Sequence, residues 1–335
     1  MKKIIIFPFL FLAIFSWGQA QFVVQNGAKT EVYNNINTAI ENAQPGDTLY
    51  LPGGGFTINP ATIDKTLHWV GHGHYPSETG ATMQTRITTA LTFTGNCDNS
   101  SFEGIWFTSS LTFGSNTDEA LNIKLKRCRV SSNVTMRTTS IGNPDLFFTI
   151  SECVLYGIDA KLGKSCLVEK SLIFYYVSNF VQGQFSHNYF IVKSYASGSI
   201  MSGISSCLFT NNVFGLDHGI GNSAACTFNN NVFAGAIPYD GLNNYGQDNV
   251  ENVGSTNIFT DLSQSSNTYT FSYENDYTLK NSWLSSDGAT VVGIYGTVTP
   301  YKTIPYYPHI NTANIATEAV NNELGVDINV QAQSR

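Results

Sequence analysis

A large apolar residue, four residues that are mostly polar or small, and a second large apolar residue recur seven times through the middle of the chain. The first members are Phe102, Leu125, Ile150, Val168, Phe185, Phe209 and Phe228; the second, five residues on, are Phe107, Val130, Leu155, Ile173, Phe190, Phe214 and Phe233. Successive first members lie 23, 25, 18, 17, 24 and 19 residues apart. A fixed short motif separated by insertions of variable length marks a solenoid, in which stacking holds the motif and leaves the loops free. Two positions before each anchor stand Ser100, Ile123, Phe148, Cys166, Gly183, Cys207 and Cys226, and the period of two places them inside with the anchor.

Two further columns carry predictions. Three positions after the anchor stand Ile105, Cys128, Cys153, Ser171, Asn188, Asn212 and Asn231. The chain must bend there between two strands, and asparagine tolerates left-handed backbone best among non-glycine residues, so this column is predicted to bend and to bond from coil to coil. Two positions after the anchor stand Gly104, Arg127, Glu152, Lys170, His187, Asn211 and Asn230, whose Arg, Glu and Lys alternate in sign as a solvated ladder would. The six cysteines fall mostly in these columns; Cys128 with Cys153 and Cys207 with Cys226 share one column each. Coils about 4.8 Å apart lie within disulfide range, but parallel stacked side chains suit buried thiols better.

Upstream, Tyr33 to Ala43 places Ile36, Ala39, Ile40 and Ala43 on one helical stripe, ended by Gln44-Pro45-Gly46-Asp47-Thr48 and followed by the strand Leu49-Tyr50-Leu51. This helix, turn and strand resembles the N-terminal cap and first coil of pectate-lyase-like secreted β-helix proteins. Val70-Gly71-His72-Gly73-His74-Tyr75 resembles a turn near the second coil of Bacteroidetes-type members, and Asp276 to Lys280, Gly293 to Gly296 and Pro300-Tyr301 resemble their closing segment. The resemblance spans about residues 30–335. It implies an all-β, right-handed parallel β-helix with a short N-terminal capping helix; the hand follows also from the rule for parallel crossovers. The expected divisions are a signal peptide over 1–20, cap and first strand over 21–55, coils over 56–260 and a closing segment over 261–335.

Composition fits strands and tight turns: charged residues make up 12% and aromatics 13%. Lys2 and Lys3 precede an apolar run from Ile4 to Trp17, then Gly18, Gln19 and Ala20, which reads as a secretory signal peptide. The run is short for a bilayer span, and no second one follows, so the chain is expected to be secreted or displayed at the cell surface with no membrane span after signal removal. Loss of the two lysines leaves 15 of the 17 basic residues against 24 acidic ones, a formal charge of −9. That disfavours nucleic acid as a partner.

Known enzymes of the resembled family are polysaccharide lyases and polygalacturonase-like hydrolases, so a polysaccharide or cell-surface glycan is the implied partner. A lyase base could come from the basic patch Lys124, Lys126, Arg127 and Arg129, yet the adjoining coils offer only Glu103 and Glu152, too few for calcium. No cofactor is expected. A hydrolase needs two carboxylates about 5–9.5 Å apart. Asp217 and Asp240 come from adjacent coils with His218 beside the first, and Asp217-His218-Gly219 resembles a hydrolase motif without its upstream aspartate pair. Sugar stacking would suit Tyr239, Tyr245, Tyr273 and Tyr277, and Lys124 and Arg127 would suit an anionic glycan. His72 and His74 alternate on one strand, but no third metal ligand accompanies them. The sequence leaves two functions open: a non-catalytic β-helix that binds glycan or serves as an envelope element, and a polysaccharide lyase or glycoside hydrolase.

Overall fold

The computed structural model describes residues 20–114, 118–138, 142–191, 201–215, 223–236, 243–261, 271–281, 283, 292–303, 308–316, 318 and 323–331. Two parallel sheets wind together into a β-solenoid. The first runs through Asp47–Tyr50, Leu67–Val70, Ser101–Glu103, Lys124–Lys126, Thr149–Ser151, Leu167–Glu169, Gln184–Ser186, Leu208–Thr210, Thr227–Asn229 and Tyr245–Gln247, each strand pairing in parallel with the next. The second carries the partner anchors on Trp106–Phe107, Arg129–Thr135, Val154–Gly163, Leu172–Phe180, Tyr189–Phe190, Val213–Phe214 and Val232–Phe233.

All seven anchor pairs lie in register as the spacing predicts, Phe102 opposite Leu125 through to Phe209 opposite Phe228, and Phe107 opposite Val130 through to Phe214 opposite Phe233. Their side chains form the main core and are almost wholly excluded from water. In the later coils the rings stack face to face, Phe185 on Phe209 at 4.6 Å and Phe214 on Phe233 at 4.4 Å. At the N-terminal side the antiparallel strands Phe22–Asn26 and Lys29–Tyr33 extend the first sheet, and the helix Ile36–Asn42 buries Ile36, Ala39 and Ile40.

The side-chain ladder forms as expected. The backbone N–H of Asn188 donates to Asn212 Oδ1 at 2.8 Å, that of Asn212 to Asn231 Oδ1 at 2.9 Å, and that of Asn231 to Asn249 Oδ1 at 2.9 Å. The earlier rungs use other atoms in the same geometry: Ser171 N–H to Asn188 Oδ1, Cys153 N–H to Ser171 Oγ and Cys128 N–H to Cys153 Sγ. All six cysteines are buried free thiols, and burial pushes those of Cys97 and Cys166 up to about 11 and about 12, which makes them unreactive.

Two column readings need correction. The left-handed residue is not the ladder asparagine but the one before it: Arg127, Glu152, Lys170, His187, Asn211 and Asn230 have φ of 50, 55, 46, 56, 56 and 54°. A second left-handed residue lies five before each, at Asn122, Phe147, Ser165, Gln182, Ser206 and Ala225, so two such corners bracket each first-sheet strand from Lys124–Lys126 to Thr227–Asn229. Nor is the Arg/Glu column solvated: Arg127 and Glu152 are each 7% exposed. The cause of that burial is the closing segment, which runs back along the side of the stack. The outward-facing Val154, Leu172, Tyr189, Val213 and Val232 of the second sheet form a second core with Phe259, Tyr277, Val292, Ile294 and Tyr301. Gly293 N–H donates to Asn211 O at 2.8 Å and Lys170 Nζ to Thr299 O at 3.1 Å. Gly293 has φ +81° and lies flat on the Tyr189 ring, where a Cβ would stand 2.1 Å from a ring carbon. The antiparallel pair His309–Ile315 and Val326–Gln331 follows, with Ile315, Val326, Ile328 and Val330 exposed.

Candidate functional site

The residues singled out by sequence do not converge. Asp217, His218, Tyr239 and Asp240 lie outside the described residues. Lys124 and Tyr245 share one outward row of the first sheet through Thr149, Leu167, Gln184, Leu208 and Thr227. Six strand steps of about 4.8 Å separate them, about 29 Å in all. Tyr277 is buried in the second core. His74 is buried against Tyr75 and Tyr273, and burial, with help from Arg129, holds its imidazole down at about 3, so it is neutral at ordinary pH. Among the described residues no three His, Cys, Asp or Glu side chains gather at metal-binding range.

Arg127 is held between carboxylates of both neighbouring coils, its Nε 2.7 Å from Glu152 and its Nη1 3.4 Å from Glu103. Burial raises the Glu103 carboxyl above its usual range against the opposing pull of Lys126 and Arg127. Tyr75, Tyr301 and Lys302 close over this trio, and the cavity left has a volume of about 10 Å³. That is room for one water at most, not for a sugar. Arg127 is therefore a clamp between coils beneath the closing segment rather than a surface for ligand.

The exposed chemistry lies on the outer face of the second sheet. Tyr156 is 39% exposed and stacks on Tyr175 of the next coil, centroids 4.4 Å apart and planes 19° apart. Tyr176 leans on Tyr175 at 5.4 Å and lies across Gly157, where a Cβ would meet the ring at 2.6 Å. Because Tyr156 and Tyr175 stack along the coil axis, the other face of Tyr156 looks over the preceding coil, whose outward residue is the small, exposed Ser131. Trp106 sits one coil further on and donates its indole N–H to Ser131 Oγ at 2.7 Å. Arg129 lies 4.3 Å from the Trp106 ring and is pinned from the other side by Phe271 and Tyr273; Arg86 stands 5.6 Å from the same ring. The result is a Tyr156–Tyr175 stack at coil spacing with Tyr176 beside it, and two coils back the Trp106 ring, in the column of Arg129 and Val154, with the Ser131 hydroxyl between. Sequence reasoning missed these rings because it looked for them in loops; the signal was Tyr156 one residue, and Tyr175 and Tyr176 two and three residues, after the second anchors Leu155 and Ile173 of consecutive repeats.

Comparison with family models, with characterised proteins and with solved structures gives no match to this chain.

Proposed function

We propose that the chain is an exported, non-catalytic solenoid that binds an extended glycan across its coils. The observation that carries the reading is the exposed Tyr156 stacked on the half-buried Tyr175 and Tyr176, with the half-buried Trp106 two coils back on the same sheet face. Ring faces suit the apolar C–H faces of pyranoses, and the hydroxyls of Ser131 and its neighbours suit sugar hydroxyls. A rise of about 4.8 Å per coil lets successive sugars of an extended chain meet successive coils. The Arg127 trio, sealed from any ligand of that size, offers no acid–base pair to such a chain.

The test is electrophoresis through gels containing neutral and acidic polysaccharides, with a parallel assay for unsaturated or reducing ends. Retardation in at least one gel without product release is expected. Tyr156→Ala with Tyr175→Ala removes about 0.5–1.5 kcal/mol per ring, a two- to tenfold loss each, and should abolish the shift. Release of new ends by the purified protein would replace this reading with the lyase or hydrolase one.

A further inference from the structure

Beside the aromatic rings, four successive coils repeat a second surface pattern, of which the glycan reading uses only the hydroxyls about Ser131. Thr62 pairs in register with Thr92, Thr92 with Thr112, and Thr112 with Thr135. Their sequence neighbours Ile63, Leu91, Phe93, Leu111, Phe113, Val134 and Met136 are buried, so alternation turns all four threonines outward. None of the four hydroxyls has a protein partner among the described residues. A second file runs parallel to the first. The in-register residues Phe56, Ile87, Phe107 and Val130 are each followed by a hydroxyl residue, Thr57, Thr88, Thr108 and Ser131. Thr57 and Thr88 Oγ1 lie 3.0 Å apart. Neither file meets a charge in these four coils; Asp159 takes the threonine position only in the next.

Each coil thus offers a hydroxyl in both files, at a strand repeat of about 4.8 Å. In the file Thr62, Thr92, Thr112 and Thr135 every hydroxyl comes with a methyl group, and β-branching keeps these side chains in few rotamers. A glycan site would need rings, amides or carboxylates oriented toward particular sugar atoms, and this file has none. A regular, uncharged array of methyl groups and of hydroxyls without a partner among the described residues instead holds water in a repeating arrangement, and its repeat lies close to the a-axis repeat of hexagonal ice. We propose that this face binds ice, with the Thr62, Thr92, Thr112 and Thr135 file as its centre. The contact is multivalent: each rung is weak, and attachment requires the rungs to engage together.

The test is inhibition of ice recrystallisation by the full chain, with thermal hysteresis measured alongside. The wild-type protein is expected to hold crystals small and to show hysteresis above that of serum albumin at equal concentration. Thr92→Lys combined with Thr112→Lys breaks the two central rungs and should raise the concentration needed by about tenfold or more, since avidity collapses when simultaneous contact is blocked. Thr149→Lys, on the outer face of the first sheet, should leave inhibition unchanged. If the double variant unfolds by circular dichroism, Thr112→Lys alone carries the comparison. Wild-type protein that neither inhibits nor shows hysteresis overturns the proposal, and so does a folded variant that inhibits as well as wild type.

Discussion

Replacing Asn212 by alanine tests the idea that side-chain bonds between coils, and not corner propensity, fix the solenoid's shape. Asn212 is fully buried and makes four bonds: Oδ1 accepts from Asn188 N–H at 2.8 Å and from Asn188 Nδ2 at 3.0 Å, and Nδ2 donates to Phe185 O at 2.9 Å and Asn231 Oδ1 at 3.0 Å. Two losses are only partial, because Asn188 Nδ2 keeps Val168 O and Asn231 Oδ1 keeps the Asn212 N–H. The Asn188 N–H and the Phe185 carbonyl lose these bonds with no side chain to replace them. At about 1–3 kcal/mol for each buried group left unsatisfied, the cost is about 2–6 kcal/mol. Ser171→Ala, which removes the acceptor of one N–H, should cost about 1–3 kcal/mol on the same reasoning. Guanidinium unfolding followed by circular dichroism reads both from the shift in midpoint at common slope. A cost below about 1 kcal/mol for Asn212→Ala would refute the argument, because it would mean that water or a shifted backbone satisfies those groups at no penalty.

Phe147 holds φ 54° while 54% exposed, so Phe147→Asn relieves a strained corner without uncovering core and is expected to stabilise by about 1 kcal/mol in the same measurement. Burial holds the His74 and His187 imidazoles down at about 3 and about 4, with Arg129 and Lys170 as the lesser causes. The unfolded chain then binds more protons than the native one as pH falls from about 6.5, so these histidines make stability fall through that window, and NMR should show both rings still neutral at pH 5. Glu103 acts with the opposite sign. Its raised carboxyl binds its proton more tightly in the native state, so between about pH 4.3 and that raised value its share of stability falls as pH rises; Glu103→Gln should remove this slope from the pH dependence of the unfolding midpoint.

The anchors were legible in sequence because burial on an inner face tolerates only large apolar groups, and seven such pairs at constant spacing fix the register to the residue. The left-handed corners were not, since Arg127, Glu152, Lys170 and Phe147 have no preference for that conformation. Backbone bonds to neighbouring coils hold them there, as Arg127 N–H to Ser151 O and Lys170 N–H to Ser186 O show, and such bonds leave no trace in residue type. Of the two roles read for asparagine at the third position, the ladder holds and the bend does not: the left-handed residue is the one before it. The expected acid pair Asp217 and Asp240 falls in insertions outside the described residues, where the repeat carries no information.

The path of the closing segment explains why the outer face of the second sheet changes character along the stack. At the position before the second anchor the outward residues run Trp106, Arg129, Val154, Leu172, Tyr189, Val213 and Val232. From Val154 onward they are apolar and buried under Phe259, Tyr277, Val292, Ile294 and Tyr301. An outward column that turns apolar halfway along a solenoid therefore signals a cover, because a bare face would leave that apolar area in water. At one edge of this cover Phe271 and Tyr273 clasp Arg129, which packs on the Trp106 ring. Cutting the clasp with Arg129→Ala should loosen the closing segment, raising amide exchange in residues 271–277 while leaving exchange at the buried anchors Phe185 and Phe209 unchanged. Equal exchange in both proteins over 271–277 would mean that the second core alone holds the cover, and that Arg129 only flanks the site.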